Sequence, residues 1–379
     1  MTVYEKGRKG DETKFCDFAN MVFSMEKGAH DFRTLLPKMY AEGVENASRH
    51  HVAYDEKGAV LAMVAMHPLT VMLGENSLNV GYIGTVSVHP HARGEGHMKR
   101  LMARTHEEAR EKGLDLLALG GQRQRYNYFG YERAGMHLEF ELTKTNVAHA
   151  LKQANVADIS FRKIEKDDHG LIEACYALYE QRPVHGARKK EDFWLIMQSW
   201  AGSIYAVYHK GIFSGMVQIS QRRNPLGDVL LREEGLLPLV LKALMQWFAL
   251  PSLTLVVFPH ETKRIALMEE VAETVKITHD HMVKILHYPK VLQTLLRFKG
   301  TYTALTEGEF VFQIDDQILK LSVSDGEVTC KESKETPSVI LDELSALRLF
   351  FSLSNAVCQG KAQGNWFPLP WGLPKPDHF

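Results

Sequence analysis

Residues 81–131 read GYIGTVSVHPHARGEGHMKRLMARTHEEAREKGLDLLALGGQRQRYNYFGY. Tyr82–Val88 is β-branched and apolar and ends at Pro90, which cannot continue a central strand. Gly84 inside that run predicts a bulge or a close backbone approach. The turn Arg93-Gly94-Glu95-Gly96 follows. From His97 onward Met98, Leu101, Met102, Thr105 and Ala109 recur on one helical face, up to a stop at Gly113. Leu114–Leu119 is a second apolar run, and Tyr126–Tyr131 an aromatic turn. Strand, glycine turn, amphipathic helix and strand predict an α/β unit whose backbone N–H groups and helix N-terminus converge on an anion. Arg93 adds a full positive charge there. Neither G-x-x-x-x-G-K-S/T nor G-x-G-x-x-G is present. The turn alone also fits an ordinary strand-to-helix connection; the ordered context around it decides.

This segment resembles the core of the GCN5-related N-acetyltransferase (GNAT) superfamily. The family pattern V-x-P-x-x-R-x-x-G-x-G/A appears as Val88-His89-Pro90-His91-Ala92-Arg93-Gly94-Glu95-Gly96-His97-Met98, with Met98 where Gly or Ala is usual. The family's aromatic turn appears as Tyr126-Asn127-Tyr128-Phe129-Gly130-Tyr131, with Arg125 in place of the preceding aromatic. The resemblance implies an acetyl-CoA-dependent N-acetyltransferase. Val86, Ser87 and Val88 would hold acetyl-CoA with Arg93, Gly94, Glu95, Gly96, His97 and Met98, and Tyr126 would be the general acid beside the sulfur.

The resemblance extends to the Eis-like (enhanced intracellular survival) branch, in which two GNAT folds precede a sterol-carrier-protein-like domain. The implied fold class is α/β (α+β). Two tandem GNAT-type mixed sheets with flanking helices (1–150 and 151–295) lead to a small α/β domain (296–379). In that branch the terminal carboxylate enters the first active site. Here it belongs to Phe379, with Asp377 and His378 as rival bases in the same tail. The branch also implies a homo-oligomer, a hexamer, and a small-molecule amine acceptor. Aminoglycosides or polyamine-like cations come first and protein lysines second.

Acetyl transfer to an amine needs a polarised thioester, a neutral amine and a proton for the departing thiolate. Glu26 and Asp31, between the first two expected helices, are candidates for an acceptor pocket, with a solvated helix face as the plainer reading. The eighteen histidines include the close sets His50-His51, His89-x-His91 and His279-x-His281. None has the i, i+4 spacing with glutamate of a zinc protease, so no metal is expected. A non-catalytic acyl-CoA or lipid-binding protein is the rival from another class; Arg93, Gly96 and Tyr126 argue against it.

A net charge of −1 supplies no global field for nucleic acid or an anionic membrane. Cys16, Cys175, Cys330 and Cys358 are scattered, with no C-x-x-C pair, which predicts free thiols in a cytoplasmic protein. The first residues, MTVYEKGRKGDETK, contain no apolar signal core.

Outward from the core motif, helices are expected over Glu12–Phe23 and His30–Tyr40 and strands near His51–Tyr54, Val60–Val71 and Met136–Leu142. Thr143–Asp158 reads as a linker. The order then repeats between Ile159 and His287, with Arg232-Glu233-Glu234-Gly235 at the place of the anion turn. Two carboxylates there would repel a pyrophosphate, so the second unit is expected to be a scaffold. After Gly300 come short strands, a hairpin at Asp325-Gly326 and a helix over Leu341–Phe351. The tail from Trp366 to Phe379 is rich in proline and aromatics and is expected to lie extended over another surface.

Overall fold

The computed structural model describes residues 1–220, 224–354 and 364–379. The first unit runs β1 (Val3–Lys6), α1 (Glu12–Lys27), α2 (Phe32–Leu35), α3 (Pro37–Tyr40), β2 (His50–Tyr54), β3 (Val60–Leu73), β4 (Asn76–Val88), α4 (His97–Glu111), β5 (Leu116–Leu119) and α5 (Arg123–Asn127). Strands β1 to β4 pair antiparallel in order, and β5 pairs parallel to β4. A parallel neighbour needs a crossover, which α4 supplies. The α4 residues Leu101, Met102, Thr105 and Ala109 are buried, as their spacing predicts. The apolar members pack against Ala62, Val64 and Met66 of β3 and Leu117 of β5. Each fully buried leucine in such a layer contributes about 1.5–3 kcal/mol.

The expected helix over His30–Tyr40 is two short ones. Leu36, which precedes Pro37, sits at φ −133° and ψ 61°, because the proline ring disfavours helical geometry in the residue before it. The expected linker also differs. It opens with a helix over Lys144–Ala150, because Thr143 and Asn146 form a reciprocal capping box.

The strand His137–Thr143, expected near Met136–Leu142 as part of the first unit, lies instead between Ser252–Val257 and Thr274–Thr278 of the second. In return Met282–Ile285 pairs with β5 and with Glu132–Arg133 in the first sheet. Each unit thus completes a sheet of the other. The remaining second-unit strands, Ile159–Lys163, Gly202–His209, Ile212–Ser220 and Leu226–Leu231, form an antiparallel sheet. The corresponding turn, Arg232–Gly235, carries no free acid pair: Glu234 is bonded to the buried Arg264.

A helix over Tyr288–Gly300, not expected from the sequence, buries Val291, Leu292, Leu295 and Leu296. These pack in one cluster with Val80 and Leu116 of the first sheet, with Phe312 and Leu321 of the third sheet and with Trp366 of the tail. The third sheet orders its strands Glu327–Glu332, Gln317–Ser324, Gly308–Ile314 and Val339–Leu341, and is followed by a helix over Glu343–Phe351. The tail lies extended and buried, as expected. Trp366 donates Nε1–H to the Thr306 carbonyl, and Lys299 donates to the carbonyls of Trp366 and Pro368. No helix among the described residues is long and apolar enough to cross a membrane.

Candidate active site

Strands β4 and β5 stay paired only from Val80–Leu116 to Tyr82–Ala118. Beyond Tyr82 the strands part, and β4 continues to Val88 with that edge open. The register with β3 slips between Met63 and Ala65, and Thr85 sits at φ 44°, a left-handed conformation that marks a bulge one residue beyond Gly84. The wedge between the strands opens into a cavity of about 870 Å³.

The anion turn stands at the cavity's rim. Gly94 and Gly96 have φ of 86° and 79°, and a Cβ on either would touch nothing. Backbone conformation, not space, is therefore what requires glycine there. Gly96 caps α4 with no side-chain bond to the helix, which leaves the first N–H groups of α4 aimed outward.

Of the residues expected from the sequence, Glu26, Val86, Val88, Arg93, Gly94, Gly96, His97, Met98, Tyr126 and Phe379 line this cavity. Ser87, Glu95, Asp31 and Asp377 do not. Ser87 is buried on the strand and donates to the Thr85 carbonyl. Glu95 is exposed and meets His97 Nε2 at 3.0 Å. Asp31 caps α2 by accepting from Arg33 N–H, and its other oxygen accepts from Thr34. Asp377 is buried and engaged away from the cavity by Arg188 and by the Tyr179 hydroxyl. It is an anchor for the tail rather than a group facing an acceptor. Glu26 accepts from Arg93 at 2.7 Å across the cavity mouth.

Tyr126 is buried, and burial raises its phenol above the usual value, so it holds its proton at neutral pH. Phe379 closes the far wall. Its ring stacks on His67 at 4.9 Å and 6° and meets the Tyr82 ring at 5.3 Å. The ammonium of Lys38 lies over the same ring and donates to the carbonyls of Pro376 and His378.

Sequence reasoning missed several wall residues. Trp200 comes from the second unit and donates Nε1–H to the Lys375 carbonyl. His281 arrives on the exchanged segment ahead of Met282. Its only advance sign was its place in the close set His279-x-His281. Asp280, His281 and His378 bring three potential ligand atoms within 4.8 Å of one another, the one such group among the described residues. Their hydrogen bonds are already committed. His281 Nδ1 donates to Asp280 at 2.7 Å, and His378 Nε2 donates to the Leu373 carbonyl at 2.8 Å. Burial lowers His378 to about 3, so it is neutral. At Asp280 burial pushes the carboxyl up, but the charge and hydrogen bond of His281 outweigh it, and the group is held at about 2 and ionised.

Cys16, Cys175 and Cys330 are buried free thiols, and Cys358 lies outside the described residues. Burial pushes Cys175 and Cys330 up to about 12, which removes them from nucleophilic chemistry.

Residues 4–134 match the model of the Acetyltransferase (GNAT) domain. This part of the chain is a GNAT acetyltransferase domain. No curated protein matches the chain. Among solved structures, it is similar over 100% of both chains to a GCN5-related N-acetyltransferase from Kribbella flavida (16% identity, TM-score 0.68). A GCN5-related N-acetyltransferase from Anabaena variabilis is similar over the same extent (17% identity, TM-score 0.68). So is Eis1 from Mycobacterium abscessus (14% identity, TM-score 0.66). At such identities the likeness concerns the fold.

The GNAT domain implies acetyl-CoA as co-substrate, and the wall fits it. The uncapped N-terminus of α4, two left-handed glycines and Arg93 suit a pyrophosphate, and the open edge of β4 offers main-chain groups to an amide-bearing arm. When bound, acetyl-CoA supplies the activated acyl group.

Proposed function

We propose that the chain transfers the acetyl group of acetyl-CoA to a small primary amine held between the anion turn and the tail. The observation that carries this reading is the convergence of Arg93, Tyr126 and Phe379 on one cavity. Tyr126 is the general acid that protonates the departing sulfur. The terminal carboxylate of Phe379 draws the cationic amine in and assists its deprotonation. The second unit is a scaffold and the third a sterol-carrier-like domain that positions the tail, on the plan of the Eis-like branch. The protein works in the cytoplasm as a homo-oligomer, a hexamer on that plan.

Aminoglycosides and polyamines are the first acceptor classes. Among the described residues Glu26 is the one side-chain carboxylate on the wall, and with the Phe379 terminus it is the group that would draw a cationic acceptor. A lysine side chain within a protein is the second reading. The tail covering the cavity argues against it, since a peptide needs an open groove.

The deciding experiment is thiol release from acetyl-CoA against aminoglycosides, polyamines, simple alkylamines and lysine peptides. Amine-dependent release supports the reading and names the acceptor class. Acetyl-CoA binding with no release for any amine sinks it.

A further inference from the structure

We propose that His281, held by Asp280, is the base that takes the proton from the acceptor amine; this rests on the acetyltransferase reading above. The geometry is that of an oriented imidazole. The Asp280 side chain is only 5% exposed and its ionised carboxylate can only accept, so His281 donates Nδ1–H to it at 2.7 Å and keeps a lone pair on Nε2. A second bond to the same carboxylate, from the Leu373 N–H, ties the pair to the tail. The ring is fixed on its other sides by the edge of His378 at 4.2 Å and by Tyr82 at 5.4 Å. A carboxylate that orients a cavity-lining histidine through Nδ1 and leaves its second nitrogen uncommitted is the arrangement a general base requires.

His281 also stands on the partition between two cavities. The first is the 870 Å³ cavity that holds Arg93, Tyr126 and Phe379. The second, about 270 Å³, is lined by Arg133, Thr278, His279 and Asp280. Gly120, Gly121 and His281 line both, so His281 is the one side chain shared between them. A proton taken on the acceptor side has an exit on the other.

Basicity favours the imidazole over the terminus. An alkylammonium titrates near 10.4, an ordinary imidazole near 6.5 and a terminal carboxylate near 3.5, so transfer to the carboxylate is uphill by about three more pH units. The step balances as follows. The ammonium gives one proton to His281 Nε2. The neutral amine attacks the thioester carbonyl, its C–N bond forming as the C–S bond breaks. Tyr126 donates its phenolic proton to the sulfur and regains one from the new amide nitrogen. The proton on His281 leaves to solvent, so one proton is released per turnover.

The groups facing this histidine are His279 and Asp280 on its own segment, Tyr82 on β4, and His378 on the tail with Lys38 beyond it. Arg133 lines the second cavity, and His137 lies 3.9 Å from the Asp280 carboxylate.

The test uses the full chain and the His281→Asn substitution, which keeps a donor toward Asp280 and removes the basic nitrogen. Turnover with an alkylamine is expected to fall about 100-fold, with acetyl-CoA affinity within about twofold. The acidic limb of the pH–rate profile should disappear. The deficit should shrink to less than about tenfold with methoxyamine, which is already neutral at assay pH. His281→Gln, should the first variant be unstable, is expected to behave alike. An unchanged rate overturns the proposal. So does an equal loss with alkylamine and methoxyamine, which marks a structural role. Loss of wild-type activity on chelation, restored by zinc, assigns the cluster to a metal and also overturns it. A wild-type enzyme without amine-dependent thiol release fails one level lower, at the acetyltransferase reading itself.

Discussion

The ammonium of Lys38 sits 3.9 Å from the centre of the Phe379 ring. The same nitrogen donates to the Pro376 and His378 carbonyls, so one side chain of α3 fixes the last four residues against the GNAT domain. Burial drives the Lys38 pKa well down, with Asp377 as the main compensating charge. Lys38→Met would remove two charge-assisted bonds, worth about 1.5–3 kcal/mol each, together with a desolvation cost of similar size. Global stability is therefore expected to move by less than about 2 kcal/mol. The tail should lose its register, seen as faster carboxypeptidase release of Phe379 and a turnover lowered about tenfold or more.

Tyr126 lines the cavity and keeps its proton. Tyr126→Phe removes one oxygen from a packed ring. Turnover should fall about 100-fold while acetyl-CoA affinity, measured by calorimetry, stays within about twofold. Equal turnover would remove the general-acid assignment.

Arg93 and Glu26 are about half exposed, so their 2.7 Å pair is worth at most about 1 kcal/mol. A pyrophosphate must compete with Glu26 for that guanidinium. Glu26→Gln is expected to tighten acetyl-CoA binding by up to about fivefold and to raise KM for cationic amines. Weaker acetyl-CoA binding in this variant would show that the pair supports the turn rather than blocks it.

Burial holds His50, His106 and His260 at about 4 and His378 at about 3, against an ordinary 6.5. Between the folded and unfolded values the unfolded chain binds more protons. Stability is thus full above pH 6.5 and is lost as pH falls through about 4, by up to about 1.4 kcal/mol per pH unit for each histidine. Asp280 extends the loss from 3.8 down to about 2. Urea midpoints should begin to drop near pH 6.5. A flat profile to pH 5 would contradict the burial of these rings.

The first unit was legible because its signals are local. Glycines ahead of an amphipathic helix, with an apolar strand on each side, fix strand, turn and crossover within a few tens of residues. The bulge announced by Gly84 falls at Thr85, and the helix face from Leu101 to Ala109 is the buried one. What failed was nonlocal. No period or cap tells strand His137–Thr143 to join the other unit's sheet, or Met282–Ile285 to return, because both read as ordinary short strands. His281 was invisible for the same reason, since its partners Tyr82 and His378 lie far off in the chain. The capping box at Thr143 and Asn146 was readable and was masked by the polar composition around it.

The traded strands also set a timetable for synthesis. As the chain leaves the ribosome, β1 to β5 emerge early, yet the neighbour that covers β5 lies at Met282–Ile285. Until then β5 offers a bare hydrogen-bonding edge, the kind of surface that recruits chaperones or other nascent chains. Excising the first 134 residues as a minimal enzyme would make that transient edge permanent. An engineer seeking a smaller acetyltransferase should supply the 282–285 strand in cis, by a short loop after Arg133, rather than cut at the unit boundary.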